Sequence, residues 1–487
     1  MAKPICTEIA PILIELRQEI SHYDSLRASV TSFGVSKSGN PKREMEMPKV
    51  RNQAILNVIK NCTVKDNNEI PFYVADFSDV LFKCRYWKSK LPRVQPFYAV
   101  KCNSDPMLLS LLVSLGIRFD CASKGEIDAV LAAGAEPSDV IYAHPFKSNA
   151  FLRYAAAVNV DLMTFDCEQE LHKIKKIFPQ ARLVIRISIP DVPAAFPLSN
   201  KFGCTVKEAQ KLLVMAQNLH LNVEGVSFHV GSLCEQPFAF AKAIKMAREV
   251  FDMAEDKGYH FTLLDLGGGF PGSSESLDIF DKMCYYITKA LDEHFPQGCG
   301  IQVIAEPGCY ITCSAFTLCC KIIGKKKADM DPNNEGNCKQ QVFYYLNDGT
   351  YGSFGYGFEK YGFCIKPFLI KSQQASRPNL RSKLWGATCC SSDCIVEDCL
   401  LPEMEVGEYI LFDNMGAYTR SLVSGFNGFP MPITHYVFPP QSEYMNDLLP
   451  SLEDYCKDLG SDKMKAFKKI QDYIMHDDSN DDHFRKG

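Results

Sequence analysis

The chain has 487 residues, a length that exceeds one ordinary hydrophobic core and favours two domains. Hydrophobic residues make up 46% of it and charged residues 23%, which excludes a largely disordered chain. The net charge of -5, without any long block of Lys and Arg, excludes a general attraction to nucleic acid or acidic membranes.

The N-terminal segment has no apolar run followed by a small-residue cleavage site, because Glu8, Glu15 and Arg17 interrupt it. No stretch approaches the roughly 20 uninterrupted apolar residues of a membrane span. We therefore expect a cytoplasmic protein whose 21 cysteines stay reduced and mostly serve as small buried residues. No C-x2-C pair occurs, so no metal is expected, although the looser spacing of Cys390 and Cys394 leaves zinc open.

Residues 1–38 form a weakly patterned extension, and residues 39–70 lead from a Gly-, Ser- and Lys-containing linker into the first domain. From residue 71 to 315, short apolar runs alternate with amphipathic helical stretches. The candidate strands are PFYVAD, PFYAVK, RFDCAS, VIYAHP, DLMTFD, ARLVIRIS, VEGVSFHVG, FTLLDLGGG and QVIAEPG. This alternation predicts a (β/α)8 barrel, and a doubly wound open sheet is the alternative from the pattern alone.

The pattern changes in residues 316–440, where β-like segments are separated by turn residues with little helix between them. These segments are FTLCCKIIGKKK, QVFYYLND, EVGEYILFD and PITHYVFP. Residues 441–487 form a charged C-terminal tail. The predicted fold class is therefore α/β, with a (β/α)8 TIM-like barrel followed by a C-terminal all-β domain.

Active sites of βα barrels lie at the C-terminal ends of the strands, so the polar residues that end apolar runs are the candidates. They are Lys101, Asp120, Arg186, His229 and Glu306, together with the glycines of DLGGGFPG. Lys101 directly follows Phe-Tyr-Ala-Val, and a lysine buried there without a partner is costly. It either extends to solvent from a strand end, or it is an amine with a lowered pKa that reacts with a carbonyl group.

The three consecutive glycines, Gly267, Gly268 and Gly269, either form a tight turn or direct backbone N–H groups at a phosphate. Glu306 is either an exposed strand-end carboxylate or an acid that keeps a pyridine nitrogen protonated. His229 is either a core histidine or a ring that stacks on a cofactor. Taken together, an amine, a phosphate cradle, an acid and a stacking ring predict a pyridoxal-phosphate site.

The same segments carry a family resemblance. PFYAVKCN, FDCASKGEI, GVSFHVGS, DLGGGFPG, AEPG, YYLNDGTYGSF, WGATC and FDNMGAYT…FNGF occur in order. They resemble the eukaryotic ornithine decarboxylase group of fold-III pyridoxal-phosphate decarboxylases. The resemblance implies a barrel and a β-domain built from chain on both sides of the barrel, including residues 39–70. It also implies a head-to-tail homodimer with two shared active sites.

By position, the resemblance assigns each candidate residue a role. Lys101 is the lysine that binds the cofactor, Glu306 faces the pyridine nitrogen and His229 stacks on the ring. Further cofactor contacts are Asp120, Arg186, Ser232, Gly267, Gly268, Gly269 and Tyr418. Asp348 and Phe426 lie at the substrate, with Asp348 near the distal amine of a diamino acid. Lys201 and Asp393 match a pair that bridges the subunits.

In the family, the motif W-G-P-T-C-D delivers a cysteine and an aspartate into the partner's site. Cys389 matches the cysteine, which protonates the substrate carbon after CO2 has left, and Cys390 replaces the aspartate. Since that aspartate is the counter-ion for a distal ammonium group, its loss predicts an uncharged aliphatic L-amino acid of leucine's size as substrate. Asp348 remains, so weak turnover of diamino acids stays open, and the alternative is an ornithine decarboxylase that tolerates Cys390.

A second departure is Cys309, which stands where the family has an arginine that grips the cofactor phosphate. Its loss predicts weaker cofactor binding and raises the alternative of a catalytically inactive, antizyme-inhibitor-like binding protein. A working decarboxylase is favoured by the retention of Lys101, Asp120, Arg186, Cys389 and Tyr418. The segment AHPFKSNAFLRYAAAVNVDLM lies where the family docks antizyme, but it is apolar with few lysines, so antizyme binding is not assumed.

Overall fold

The computed structural model describes residues 53–64, 69–190, 194–196, 200–234, 236–329, 340–355, 366–369 and 377–437. The extension 1–38 and the tail 441–487 lie outside the described residues. None of the described helices combines the length and the apolar composition of a membrane span. Among the described residues, no cluster of His, Cys, Asp and Glu has the make-up of a metal site.

The described chain begins with a helix and a strand, and both lie outside the barrel. Helix α1 (Gln53–Val64) precedes strand β1 (Phe72–Asp76). Ile55 and Ile59 of α1 pack on Phe72 and Val74 of β1 in a common apolar core. This packing is consistent with the predicted contribution of residues 39–70 to the β-domain, which stays a prediction.

Eight parallel strands close into a barrel, which confirms the predicted fold class and excludes the open sheet. Ten strands follow β1 in this region. They are β2 (Val94–Ala99), β3 (Arg118–Cys121), β4 (Val140–Tyr142), β5 (Leu162–Phe165), β6 (Arg182–Ile187), β7 (Ala194–Phe196), β8 (Asn222–Phe228), β9 (Ser232–Cys234), β10 (Leu263–Asp265) and β11 (Gln302–Ala305). The order around the barrel is β10-β11-β2-β3-β4-β5-β6-β8, while β7 and β9 pair with each other.

Helices alternate with these strands along the chain. They are α2 (Phe77–Lys90), α3 (Pro106–Ser114), α4 (Lys124–Ala132), α5 (Asn149–Ala157), α6 (Glu168–Ile177), α7 (Val206–Asn218), α8 (Ala239–Glu255), α9 (Leu277–His294) and the short α10 (Cys309–Thr312). The caps are encoded locally. Thr205 accepts a hydrogen bond from the Glu208 amide, and the Glu208 carboxylate accepts one from the Thr205 amide, so a capping box starts α7.

The remaining strands form a mixed sheet with β1. They are β12 (Phe316–Asp329), β13 (Gln340–Leu346), β14 (Pro367–Phe368), β15 (Asn379–Trp385), β16 (Cys394–Pro402), β17 (Tyr409–Phe412) and β18 (Ile433–Val437). Strand β1 pairs antiparallel with β12 and parallel with β18. The sheet is thus built from chain on both sides of the barrel, as the resemblance implied.

The prediction that the segment PFYVAD belongs to the barrel is wrong, because this segment is β1 of the mixed sheet. Every residue of β1 is buried, and a fully buried run has the same composition in either sheet. Its partners β12 and β18 are more than 200 residues away in sequence, so the pattern around β1 gave no sign of them. The exact domain boundaries at residues 38, 70, 315 and 440 stay predictions.

Candidate active site

The first feature of the site is an ion pair between two neighbouring barrel strands. Lys101 lies in a 3-10 turn directly after β2, and Asp120 lies in β3 opposite Ala99. The Lys101 ammonium group forms an ion pair with Oδ2 of Asp120, whose side chain is fully buried. No described residue donates a hydrogen bond to the other carboxylate oxygen of Asp120. The lysine side chain itself is 38% exposed, so its amine can be reached from outside.

The charge state of Lys101 differs from one of the two interpretations that the sequence allowed. Burial lowers the pKa of Lys101, but the carboxylates of Asp120 and Glu306 raise it by more, so its net pKa lies above the usual value. The hypothesis of an amine with a lowered pKa is therefore wrong for the free chain. A sequence pattern locates the lysine, but it does not show how many carboxylates surround it.

Two carboxyl groups meet at the ends of the adjacent strands β10 and β11. The Glu306 amide donates to the Gly267 carbonyl at 2.7 Å, and the Gly267 amide donates to Oδ1 of Asp265 at 2.9 Å. Burial raises the pKa of Asp265 to about 7. Burial, and then the neighbouring carboxyls of Asp265 and Asp120, raise the pKa of Glu306 well above its usual value. Glu306 therefore holds a proton more readily than an exposed glutamate does, which suits an acid that shares a proton with a ring nitrogen.

Asp265 belongs to the site, although it is absent from the candidates that the sequence pattern singled out. Its side chain is completely buried, and no described residue hydrogen bonds to its Oδ2 atom. A signal was present, because Asp265 ends the apolar run Phe-Thr-Leu-Leu just as Asp120 and Glu306 end theirs. In the same segment the three glycines are the stronger sequence motif, and the carboxylate was therefore not among the candidates.

The glycine turn packs tightly against His229. Gly267 and Gly269 have φ values of 60° and 110°, a region that side chains other than glycine rarely adopt. A Cβ atom on Gly268 would lie 2.8 Å from Nε2 of His229 and 2.9 Å from the Glu306 carbonyl oxygen. Nδ1 of His229 accepts a hydrogen bond from the Gly231 amide at 3.0 Å. Burial, followed by the charges of Arg186 and Lys101, lowers the pKa of His229 well below its usual value, so the ring is neutral.

The candidate phosphate-binding residues lie around these glycines. Gly269 approaches the Gly231 carbonyl so closely that a Cβ atom would lie 2.6 Å from it, which places the turn beside Ser232. The Tyr418 amide donates to the Cys102 carbonyl at 3.0 Å, next to Lys101. Cys309 begins α10, and a hydrogen bond with Cys102, together with burial, raises its thiol pKa well above the usual value. A neutral thiol therefore stands where the resemblance places an arginine.

Arg186 completes this group from β6. Its side chain is mostly buried, and the guanidinium carbon lies 5.2 Å from the ring centre of Phe202. Its charge acts on both His229 and Glu306. The predicted cofactor residues thus come from the ends of different strands and gather in one place, which is consistent with their assigned roles.

Cys389 and two of the predicted substrate residues, Cys390 and Phe426, form a second group with two residues that were not predicted, Tyr351 and Asn427. We call this group the thiol patch: Tyr351, Cys389, Cys390, Phe426 and Asn427. The Cys389 amide donates to the Asn427 side chain at 2.9 Å, and the Tyr351 ring lies 4.6 Å from the ring of Phe426. The Cys390 sulfur lies 3.1 Å from the Tyr351 hydroxyl. Within the described chain, neither thiol is hydrogen bonded to the cofactor residues at the strand ends. We call those residues the Lys101 group: Lys101, Asp120, Arg186, His229, Asp265 and Glu306.

The two carboxylates near the thiol patch are buried and bonded internally. Oδ1 of Asp348 accepts hydrogen bonds from the amides of Gly349 and Ser353, and burial raises the pKa of Asp348 to about 6. Both oxygens of Asp393 accept hydrogen bonds from Thr350 and Thr388. Lys201 is exposed, with its ammonium 4.9 Å from the ring centre of Phe202. Pairing of Lys201 with Asp393 across subunits stays a prediction.

A cavity of about 280 Å³ lies at the opposite end of the barrel from these residues. It is lined by residues just before and at the starts of β2 and β11, including Arg93, Cys299 and Gln302. Strand starts carry the stability of a βα barrel and not its chemistry. We therefore do not place the active site there.

Comparison with known proteins identifies the family. The family described as "Pyridoxal-dependent decarboxylase, pyridoxal binding domain" matches residues 77–313. Ornithine decarboxylase of Rattus norvegicus is 47% identical over 371 residues, which cover 75% of this chain and 80% of that protein. The chain belongs to the pyridoxal-dependent decarboxylases. Antizyme inhibitor 2 of Xenopus laevis is 44% identical over 396 residues, 80% of this chain and 84% of that protein.

The fold comparison agrees with this family. The arginine decarboxylase of Paramecium bursaria Chlorella virus superposes with a TM-score of 0.72 at 33% identity, covering 78% of this chain and all of that one. The chain is therefore a pyridoxal-phosphate-dependent amino-acid decarboxylase of the ornithine, arginine and lysine type.

The site of this decarboxylase fits pyridoxal phosphate on its own chemistry. Lys101 offers an amine that is partly exposed beside a carboxylate with one unpartnered oxygen. The glycine turn leaves a space that any side chain would fill, beside the neutral ring of His229. Cys309 is the one residue that fits less well, because a thiol supplies no positive charge to a phosphate.

We predict that Gly268→Ala weakens cofactor binding by at least about tenfold, because the added methyl group collides with His229 and with the Glu306 backbone. Equilibrium titration with pyridoxal phosphate measures the change. Gly125→Ala is the matched control, since the nearest atom to its Cβ is 3.9 Å away. Equal affinities for the two variants would contradict the assignment of the cradle.

We predict that Asp265→Asn changes how stability depends on pH. A buried acid whose pKa is raised to about 7 stabilises the folded chain only at low pH, and that contribution is lost as pH rises toward 7. Asparagine cannot ionise but still accepts from the Gly267 amide. In the cofactor-free protein, the free energy of unfolding of Asp265→Asn, relative to that of wild type, should therefore rise by roughly 2–3 kcal/mol between about pH 5 and pH 8.

Urea unfolding of both proteins at the two pH values measures this gain. Asp398→Asn, an exposed carboxylate that pairs with Arg381, is the control. A constant difference between Asp265→Asn and wild type across this range would show that Asp265 titrates normally.

Proposed function

We propose that this decarboxylase acts on an uncharged aliphatic L-amino acid of leucine's size and releases CO2 to give a primary amine. The supporting observation is the make-up of the thiol patch. Its side chains are two thiols, two aromatic rings and an amide, while the nearby carboxylates of Asp348 and Asp393 are only 6% and 1% exposed. A distal ammonium group would find no exposed carboxylate among these described residues.

The reaction needs the residues of the Lys101 group in distinct roles. When bound, pyridoxal phosphate supplies an electron sink for the bond that breaks as CO2 leaves. Lys101 would hold the cofactor covalently, and Asp120 would take up the charge of the lysine. Glu306 would hold a proton at the pyridine nitrogen, and the neutral ring of His229 would lie against the pyridine ring. Arg186 and its neighbours would fix the orientation.

The phosphate and the product proton are handled by the remaining residues. Ser232, the glycine turn and Tyr418 would hold the phosphate through hydrogen bonds. The Cys389 thiol would give a proton to the substrate Cα after CO2 has left. Cys389 is exposed in the single chain, which suits a residue that works in the site of another subunit.

A homodimer with shared sites accounts for an apolar surface next to Cys389. Leu422, Phe426, Phe429, Met431 and Ile433 are all more than a third exposed. They follow one another within a short segment, and a concentration of exposed apolar side chains favours a protein interface. We infer that the second subunit covers it. We also infer a cytoplasmic location, where the many free thiols of the chain stay reduced.

A second candidate function is that of a binding protein related to the antizyme inhibitors. Two observations favour it, namely the neutral thiol at Cys309 and the similarity to antizyme inhibitor 2 of Xenopus laevis. Intact Lys101, Asp120, Glu306 and Cys389 favour the enzyme, because a binding protein does not need them.

The test is CO2 release by the purified protein with added pyridoxal phosphate and a panel of L-amino acids: leucine, isoleucine, valine, methionine, ornithine, lysine and arginine. Release from the aliphatic members above ornithine supports the proposal. Preference for ornithine would contradict it in favour of an ornithine decarboxylase. Absence of release and of cofactor binding would favour the binding protein, which antizyme binding would then test.

We predict that Cys390→Asp shifts the ratio of kcat/KM for ornithine over leucine upward by at least about tenfold, because it places a carboxylate in the thiol patch. Cys299→Asp is the matched control, since it adds the same charge at an exposed position at the other end of the barrel. The substrate assignment fails if the ratio stays the same in both variants.

We predict that Lys101→Ala and Cys389→Ala complement each other if the sites are shared. Each variant alone should be nearly inactive, whereas a mixed dimer holds one site with both residues intact. Random exchange of equal amounts should restore about a quarter of the wild-type rate. If mixing restores nothing although subunits exchange, each site is built from a single chain.

A further inference from the structure

The Asp393 carboxylate accepts hydrogen bonds from two separate loops. It is 1% exposed and lies just before β16. Its Oδ1 atom accepts hydrogen bonds from the Thr350 amide at 2.7 Å and the Thr350 hydroxyl at 2.9 Å. Its Oδ2 atom accepts from the Thr388 amide at 3.0 Å and the Thr388 hydroxyl at 2.6 Å. One carboxylate thus binds four donors on two separate segments.

The backbone near Asp393 leaves room for its carboxylate because two neighbouring residues are glycines. A Cβ atom on Gly349 or on Gly386 would lie 2.4 Å or 2.3 Å from the Asp393 carboxylate oxygens. The Asp393 amide donates to the Cys390 carbonyl at 3.1 Å, and the Gly386 amide donates to the Asp393 carbonyl at 2.8 Å. The turn that carries Cys390 is therefore fixed by both the backbone and the side chain of Asp393.

The two loops held by Asp393 carry the residues of the thiol patch. The loop that contains Thr350 also holds Tyr351, whose hydroxyl lies 3.1 Å from the Cys390 sulfur. The loop that contains Thr388 continues directly into Cys389 and Cys390, and the Cys390 amide donates to the Thr388 hydroxyl at 3.4 Å. A shift of either loop would move both thiols relative to Tyr351.

We propose that Asp393 is a positioning residue that fixes both loops of the thiol patch within one subunit and thereby sets substrate preference and the placement of Cys389. This role rests on the proposed function of the patch. It is separate from the predicted bridge to Lys201 of another subunit, because it rests on the four hydrogen bonds that Thr350 and Thr388 donate to the carboxylate. Four converging donors need two anionic oxygens, and asparagine offers only one acceptor atom.

Asp393→Asn tests the proposal. In this variant an NH2 group replaces one of the two carboxylate oxygens. The amide and hydroxyl of one threonine then face a donor, and the loop that carries this threonine moves away from residue 393. We expect the dimer and cofactor binding to persist, kcat/KM on the preferred substrate to fall at least tenfold, and the leucine-to-ornithine ratio to change. Thr388→Val removes a single donor and should give the same changes in smaller degree, should Asp393→Asn not fold.

A second readout does not depend on activity. The rate at which Cys389 and Cys390 react with a maleimide, mapped by mass spectrometry of their peptide, should rise severalfold in Asp393→Asn. Asp398→Asn is the control: it changes an exposed residue of β16, the strand that follows Asp393, and should leave the rate unchanged. This readout tests the positioning role even if the amino-acid panel shows no turnover, so failure of the proposed function is distinguished from failure of this inference.

Lys201→Met separates the two roles of Asp393. If Asp393 acts only as a bridge between subunits, Lys201→Met and Asp393→Asn should both dissociate the dimer and should accelerate the thiol reaction equally, because dissociation uncovers Cys389 in both. That result would overturn the proposal. If Asp393 positions the loops, Asp393→Asn alone should accelerate the thiol reaction.

Discussion

The buried charges at the C-terminal end of the barrel are the constraint on which the rest of the site depends. Lys101 supplies one cation, and Asp120, Asp265 and Glu306 supply three carboxyl groups on strands that the barrel brings together. Buried charges are costly unless they are paired or neutralised. Asp120 pairs with Lys101, while burial raises the pKa values of Asp265 and Glu306, so both hold a proton more readily than exposed acids do. The cluster can therefore hold both an amine and a ring nitrogen in the protonation states that decarboxylation needs.

The phosphate end of the site is built differently from the ring end. Hydrogen bonds from the glycine turn, Ser232 and Tyr418 are available there, but Cys309 contributes no charge. Binding of the cofactor must therefore depend more on its covalent link to Lys101 and on contacts to its ring than on attraction to its phosphate. The substrate end likewise presents no exposed carboxylate, since Cys390 is a thiol and both Asp348 and Asp393 are buried. A chain with less charge at both ends and an intact centre is consistent with a decarboxylase of altered specificity.

Sequence reasoning located most of the cluster because barrel geometry converts strand ends into neighbours. Lys101, Asp120 and Glu306 each end an apolar run, and that rule alone placed them together. The same rule applies to Asp265, which was overlooked beside the glycines. The family resemblance supplied Tyr418 and Cys389, which lie far along the chain where no local pattern marks them.

Other features depend on contacts between distant segments, which periodicity does not encode. The direction of the Lys101 pKa shift follows from the number of carboxylates around it. The place of Phe72–Asp76 in the second sheet follows from pairing with β12 and β18. The hydrogen bonds of Asp393 join residues that are 43 positions apart in the chain. These three features become visible only in the folded structure.

The most direct test of the account is to trap the cofactor on the protein. Pyridoxal phosphate is added at saturation, the complex is reduced with borohydride, and the modified peptide is identified by mass spectrometry. The account predicts a single modified peptide that contains Lys101. Modification of another lysine, or none at all, would show that the charge cluster at the end of the barrel does not hold the cofactor.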